Sequence, residues 1–207
     1  MSEALQRRFW DPFYDRWAGF YDVLVNWLTL GVTQRLRRRA LAYLPAEGDR
    51  VLEIGFGSGR LHHELAERYE LAGLDLAPGM AHRTRRRLTR HDLHSALCVA
   101  NAYAIPWPEE SFDAVLSTFA FSAIPDGGRA LDEMIRVTRP GGRVIIVDAG
   151  EAPNGNLPAH LLASLWAALG DFIRDEVPLM EARGLTVERA AYGPWGCVHV
   201  VVGQRPA

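Results

Sequence analysis

The sequence predicts an α/β fold: a mostly parallel sheet with helices on both faces, closed at its end by an antiparallel hairpin. Three observations carry this expectation. Between Arg50 and Ala149, strand-like and helix-like stretches alternate, the pattern of crossover units that builds parallel sheets. The first strand feeds a glycine-rich turn, "VLEIGFGSGR", which lets backbone approach a ligand at the mouth of the next helix. The tail then breaks the alternation, because "LTVERAAYG" and "GCVHVVVGQR" flank the turn "PW" and read as two paired strands.

Each element has its local reason. Asp11 and Pro12 read as an N-cap and a first helical residue. Phe13, Trp17, Phe20, Tyr21, Leu24, Val25 and Leu28 follow at helical spacing. Gly31 is a stop, Thr33 opens a second helix through "QRLRRRALAYL", and Pro45 to Asp49 form a turn. "RVLEIGF" is then a strand, "GRLHHELAERY" a helix, "ELAGLDL" a strand ending in an acid, and "PGMAHRTRRRLTRH" a helix. "SALCVAN" and "SFDAVLSTFAF" are strands separated by the turn "PWPEE". "GGRALDEMIRVT" is a helix, "RPGG" a turn and "RVIIVDA" a buried strand. "LPAHLLASLWAAL" and "IRDEVPLMEARG" complete the helices.

The bulk composition narrows the function. A length of 207 residues suits one domain spanning 1–207. A formal net charge of −2 argues against steering by nucleic acid. All 23 basic residues are arginine, which excludes a lysine Schiff base and a Walker-type phosphate loop. Cys98 and Cys197 lie far apart without ligand spacing, so reduced thiols and no metal site are expected. The start lacks the apolar core of a secretory signal, and no apolar run reaches the roughly 20 residues of a membrane span. The expected location is cytoplasmic, with peripheral contact at the inner membrane face as the sharper alternative.

The glycine loop reads acid-x-Gly-x-Gly-x-Gly at Glu53, Gly55, Gly57 and Gly59. The dinucleotide fingerprint is Gly-x-Gly-x-x-Gly, so the third glycine comes one residue early. Asp75, ending the next strand, suits both ribose hydroxyls of an adenosine. Both nucleotide classes share that acid, but Glu53 separates them. An acid here repels a pyrophosphate and attracts the amino group of an amino-acid-bearing cofactor. The charge logic favours S-adenosylmethionine over NAD.

"VLEIGFGSGR", "LAGLDLAPGM", "NAYAIPWPEESFDAVLSTFAF" and "MIRVTRPGGRVIIVD" resemble, in order, the motifs of the class I S-adenosylmethionine-dependent methyltransferases. The resemblance covers about Arg50 to Ala149. It implies a Rossmann-like, seven-stranded sheet whose last strands form the hairpin already read from the tail. It also implies a division of the chain: 1–45 as a helical lid or membrane-contact segment, 50–149 as the cofactor-binding core, and 150–207 as acceptor-side helices with the hairpin. By the resemblance, Gly55, Phe56, Gly57 and Gly59 would pack against the methionine half of the cofactor, with Glu53 near its amino group. Asp75 would bind the ribose, Leu76 and Met80 would flank the adenine, and Phe119 would line the path to the acceptor. Asn101 and Ala102 stand where the family usually has Asp-Ala reading the adenine edge. The asparagine gives up charge assistance, at a cost of about 1 kcal/mol. Transfer would leave S-adenosylhomocysteine.

The acceptor is read from the flanks. Phe9, Trp10, Phe13, Tyr14, Trp17, Phe20, Tyr21 and Trp27 crowd the N-terminal segment beside Arg7, Arg8 and Arg16. That mixture suits a lid over the cleft or a helix at an anionic membrane face. The run "RTRRRLTRH" reads as a solvated face or as a patch for anionic lipid. "FYDRWAGFYDVL" resembles the opening of lipid and quinone methyltransferases, and makes Tyr14 and Tyr21 the candidates for closing over the sulfonium. The expected activity is methylation of a lipid or other hydrophobic acceptor, with the phosphatidylethanolamine headgroup first. Quinone-ring C-methylation and methylation of a soluble metabolite are the alternatives, and a non-enzymatic cofactor-binding module is a further one. The expected partners are that hydrophobic acceptor and an anionic membrane surface. Nucleic acid is not expected, because "STFAFSAIPD" replaces the Pro-Pro-aromatic element of base-methylating enzymes. Nothing in the sequence specifies an oligomeric state.

Overall fold

A computed structural model describes residues 32–150, 164, 172–192 and 196–207. Its centre is a seven-stranded sheet of order β3-β2-β1-β4-β5-β7-β6. The strands are β1 (Arg50–Ile54), β2 (Glu70–Asp75), β3 (Ala96–Val99), β4 (Phe112–Thr118), β5 (Thr138–Ala149), β6 (Thr186–Tyr192) and β7 (Val198–Gln204). The first five run parallel, while β7 lies antiparallel to both β5 and β6. This is the expected mostly parallel sheet with its antiparallel end. The "PW" turn between β6 and β7 lies outside the described residues, as do the expected helix at 12–28 and, apart from Ser164, the one over "LPAHLLASLWAAL".

Helices α1 (Val32–Arg37), α2 (Arg60–Ala66), α3 (Pro78–Arg90), α4 (Gly127–Val137) and α5 (Glu176–Glu181) surround the sheet. The central strands are covered on both faces, and β4 (FDAVLST) is buried along its whole length, whereas the edge strands β3 and β6 keep exposed positions. Two clusters result. One holds Leu52, Ile54, Val115, Leu131, Met134 and Ile146, and the other holds Val51, Leu61, Leu65, Leu116, Ile145 and Val200. Neighbouring residues of one strand thus enter opposite layers.

Two local expectations change. The helix expected to run from Thr33 through "LAYL" stays α-helical only to Arg37 and tightens into a 3₁₀ turn over Arg38–Tyr43. That turn is fixed by its neighbours: Arg38 makes a bidentate pair with Glu64, and the Tyr43 carbonyl accepts from Arg143 Nη1 at 3.0 Å. The "RPGG" turn is instead a bulge inside β5. Phe112 pairs with Thr138, and the ladder resumes only at Ala114 with Arg143. Asp113, at the bulge, accepts from the Arg50 backbone N–H at 2.7 Å and pairs with Arg139, the structural role of a strand-start acid.

Candidate active site

The C-terminal ends of β1, β2 and β4 carry the glycine loop, Asp75 and Phe119 to one edge of the sheet, where open α/β folds place their ligands. Gly55, Gly57 and Gly59 all have positive φ, at 72°, 54° and 73°. A Cβ on Gly59 would collide with Thr84, whereas one on Gly57 would meet no protein atom within 4 Å. Gly59 is therefore needed for packing, while Gly57 borders open space that an added Cβ would begin to fill.

The loop is held from below and from the side. Asp75 is only 9% exposed, and its two oxygens accept from the Gly57 N–H at 2.8 Å and the Ala77 N–H at 2.9 Å. Burial pushes its carboxyl above the ordinary range, and the charge of Glu53 adds to the rise. The N–H donors of Ala77 and Gly57 oppose them. From α3, Thr84 Oγ1 donates to the Gly57 carbonyl at 2.9 Å, and Arg87 Nε donates to the Ser58 carbonyl at 3.2 Å.

Glu53 is fully buried and engaged. Its Oε2 lies 2.8 Å from His62 Nδ1, and His62 Nε2 lies 2.8 Å from Ser95 Oγ. Ser95 Oγ donates to the Leu71 carbonyl at 2.9 Å, so it accepts from His62, and Nε2 carries a proton. The Glu53–His62 contact then holds either an ion pair or a protonated carboxyl facing a neutral ring. Sequence reasoning missed this partner. The available signal was His62 sitting with Leu61 and Leu65 on the inward face of α2.

The remaining expected residues divide by burial. The Phe56 ring is buried 5.3 Å from the His62 ring. Met80 is buried with Phe56 and Ala81 in a small cluster of their own. Leu76 is 53% exposed at the rim. Asn101 turns its Oδ1 onto the Tyr103 N–H at 3.0 Å, and Ala102 is buried beside it. Phe119 has φ 51°, a left-handed backbone that a bulky residue rarely adopts. The Arg37 guanidinium lies 5.6 Å from its ring centre. Tyr14 and Tyr21 lie outside the described residues.

Beyond Phe119, a second group of polar side chains went unread in the sequence. Asp148 is buried and accepts from the Ser122 N–H, the Ser122 hydroxyl and the Ala149 N–H, each at 2.8 Å. Burial still raises its carboxyl above the usual range. Arg174 lies 5.3 Å from the centre of the Phe121 ring and donates to the Ile124 carbonyl at 2.6 Å. Glu176 beside it is 3% exposed, and burial pushes its carboxyl up to about 8, with Asp148 adding to the rise.

Comparison with known proteins decides the family. Residues 52–146 match the model of a methyltransferase domain. A phosphatidylethanolamine N-methyltransferase of Cereibacter sphaeroides is 34% identical over 190 residues, 88% of this chain and 91% of that protein. The chain belongs to the S-adenosylmethionine-dependent methyltransferases. A demethylmenaquinone methyltransferase of Thermus thermophilus is 37% identical over 139 residues, 65% of this chain and 63% of that protein. A ubiquinone/menaquinone C-methyltransferase of Geobacter sulfurreducens is 33% identical, and the match spans 53% of its length. With these quinone enzymes the chain thus shares less than two thirds of the relative's length. Among solved structures, an S-adenosylmethionine-dependent methyltransferase of Thermotoga maritima shares the fold at TM-score 0.73 and 19% identity, covering 94% of this chain and 99% of that one. The N-methyltransferase NodS of Bradyrhizobium japonicum, solved with S-adenosylhomocysteine, superimposes at TM-score 0.63 over 84% of this chain and 86% of that one.

Proposed function

We propose that this methyltransferase acts on the amino headgroup of phosphatidylethanolamine. The observation that supports the reading is the Cereibacter match, in which 34% identity is kept over 88% of this chain and 91% of that protein, past the cofactor core and into the flanks from which an acceptor is chosen. The Thermus quinone enzyme matches at 37% but over 65% of the chain. Its higher identity keeps quinone-ring C-methylation as the second reading.

The residues present fit the cofactor. The space beside Gly57 and the nearly buried Asp75 carboxylate suit an adenosine whose ribose hydroxyls donate to Asp75 and whose methionine end lies along the loop. In this reading Glu53, paired with His62, faces the cofactor's amino group from beneath the loop, and Phe56 and Met80 support that loop from the core. Leu76 covers one adenine face, and Asn101 and Ala102 meet the adenine edge. Phe119, held in an unusual backbone conformation, forms the wall between cofactor and acceptor, as strained residues at functional sites do. S-adenosylmethionine supplies a methyl group already activated on its sulfonium. The protein's task is then alignment and the exclusion of water, with Tyr14 and Tyr21 proposed to close over the site.

Purified protein with methyl-labelled cofactor and bacterial lipid in mixed micelles, resolved by thin-layer chromatography, tests this directly. Label in methylated aminophospholipids supports the reading. Label in the quinone fraction replaces it with the second, and label in neither, beside measurable S-adenosylhomocysteine binding, means a soluble acceptor.

A further inference from the structure

Helix α3 carries Arg83, Arg85, Arg86, Arg87 and Arg90 and no acid between Pro78 and Arg90, in a chain of net charge −2. Arg83, Arg86, Arg87 and Arg90 fall at i, i+3, i+4 and i+7, one stripe of the helix. Ala81, Thr84 and Leu88 take the opposite, buried face. Elsewhere arginines such as Arg136, Arg183 and Arg205 are each matched to an acid. Among the described residues, no arginine of α3 forms an ion pair.

The stripe borders a cleft of about 280 Å³ lined by Ser58, its four arginines and His91. Ser58 Oγ, shut off from water, has no hydrogen-bond partner among the described residues. Packing like charges along one stripe costs stability unless anions face it. Planar guanidinium groups match phosphate oxygens in pairs. A single small anion would occupy only part of this cleft, whereas a surface of phosphodiesters offers an anion to each guanidinium along the helix. No described helix is long and apolar enough to cross a membrane.

We propose that the arginine stripe of α3 docks the protein on an anionic phospholipid bilayer, with lipid phosphates entering the cleft beside the glycine loop. The inference rests on the lipid-acceptor reading above and adds to it the surface that meets the lipid. Each basic residue near an anionic membrane contributes roughly fivefold to binding.

The test is co-sedimentation of the full chain with vesicles of phosphatidylglycerol and phosphatidylcholine, against phosphatidylcholine alone. Preferential binding to the anionic vesicles, lost at high salt as the screening length shrinks, is expected. The triple variant R83E/R86E/R90E should bind roughly a hundredfold less while keeping its thermal midpoint and its affinity for S-adenosylhomocysteine. R83Q/R86Q/R90Q answers the same question if charge reversal prevents folding. Undiminished binding by these variants overturns the proposal. So does indifference to lipid charge, or retention on RNA without binding to vesicles. The vesicles contain no aminophospholipid, which separates the two readings. Label transfer to phosphatidylethanolamine in detergent without vesicle docking removes only the docking surface. Docking without transfer removes only the acceptor.

Discussion

Gly57 and Gly59 sit two residues apart with similar backbones, yet they fail differently when changed. Gly59→Ala puts a methyl into Thr84 at φ 73°, so the fold bears the cost, about 2 kcal/mol or more. A fall of roughly 5 °C or more in the thermal midpoint is expected. Gly57→Ala meets no protein atom and pays only for its left-handed backbone, about 1 kcal/mol. Its methyl instead enters the space assigned to the cofactor, so S-adenosylhomocysteine should bind at least about tenfold more weakly. Calorimetry beside thermal melts separates the two, and equal losses of affinity per degree lost would show that Gly57 has no ligand beside it. His62 is the other decisive residue. His62→Leu leaves the Glu53 carboxyl, 1% exposed, without its partner, a loss of about 3 kcal/mol for a broken buried pair. The melt should drop by about 10 °C, and adding Glu53→Gln to it should recover part of that loss.

Among the elements, α3 matters for what it touches as well as for what it exposes. Its Thr84 hydroxyl and Arg87 guanidinium hold the Gly57 and Ser58 carbonyls, so the loop's shape depends on a helix reached only after β2. Thr84→Val keeps the volume and removes one hydrogen bond, at about 1 kcal/mol. If α3 braces the loop, affinity for S-adenosylhomocysteine should fall several-fold with only a slight change in the melt; unchanged affinity would show that the loop holds itself. This dependence also explains what the sequence disclosed. Strand and helix alternation, the glycine spacing and the C-terminal strand pair are local patterns, and β1 to β7 appear where those patterns lie. The pairing of Glu53 with His62, the bracing from Thr84 and the bulge at "RPGG" depend on partners distant in the chain. No periodicity announces them. The 3₁₀ turn at Arg38 is of the same kind, set by Glu64 and Arg143 across the fold.

Over the whole molecule, the buried acids give stability a predictable slope with pH. Glu176 has its carboxyl raised from 4.5 to about 8, and burial raises Asp75 and Asp148 as well. Below the ordinary carboxylate range these groups carry protons in both folded and unfolded chains and contribute no slope. Between that range and about 8, the unfolded chain releases the Glu176 proton while the folded chain keeps it. The unfolded state then binds fewer protons, so stability falls as pH rises. For Glu176 the loss amounts to roughly 4 kcal/mol by pH 8, because each pH unit crossed in that window removes about 1.4 kcal/mol. Glu176→Gln keeps the shape and removes the penalty of ionisation. Its thermal midpoint should match that of the parent near pH 4.5 and exceed it by roughly 10 °C at pH 8. Parallel curves for the two proteins across that window would mean that Glu176 is ionised in the fold, paired with Arg174 rather than held neutral beside Asp148. That outcome would also change the electrostatics beyond Phe119. A neutral Glu176 leaves Asp148 as the next carboxyl acting on the Arg174 guanidinium, whereas an ionised one adds its own negative charge beside that guanidinium.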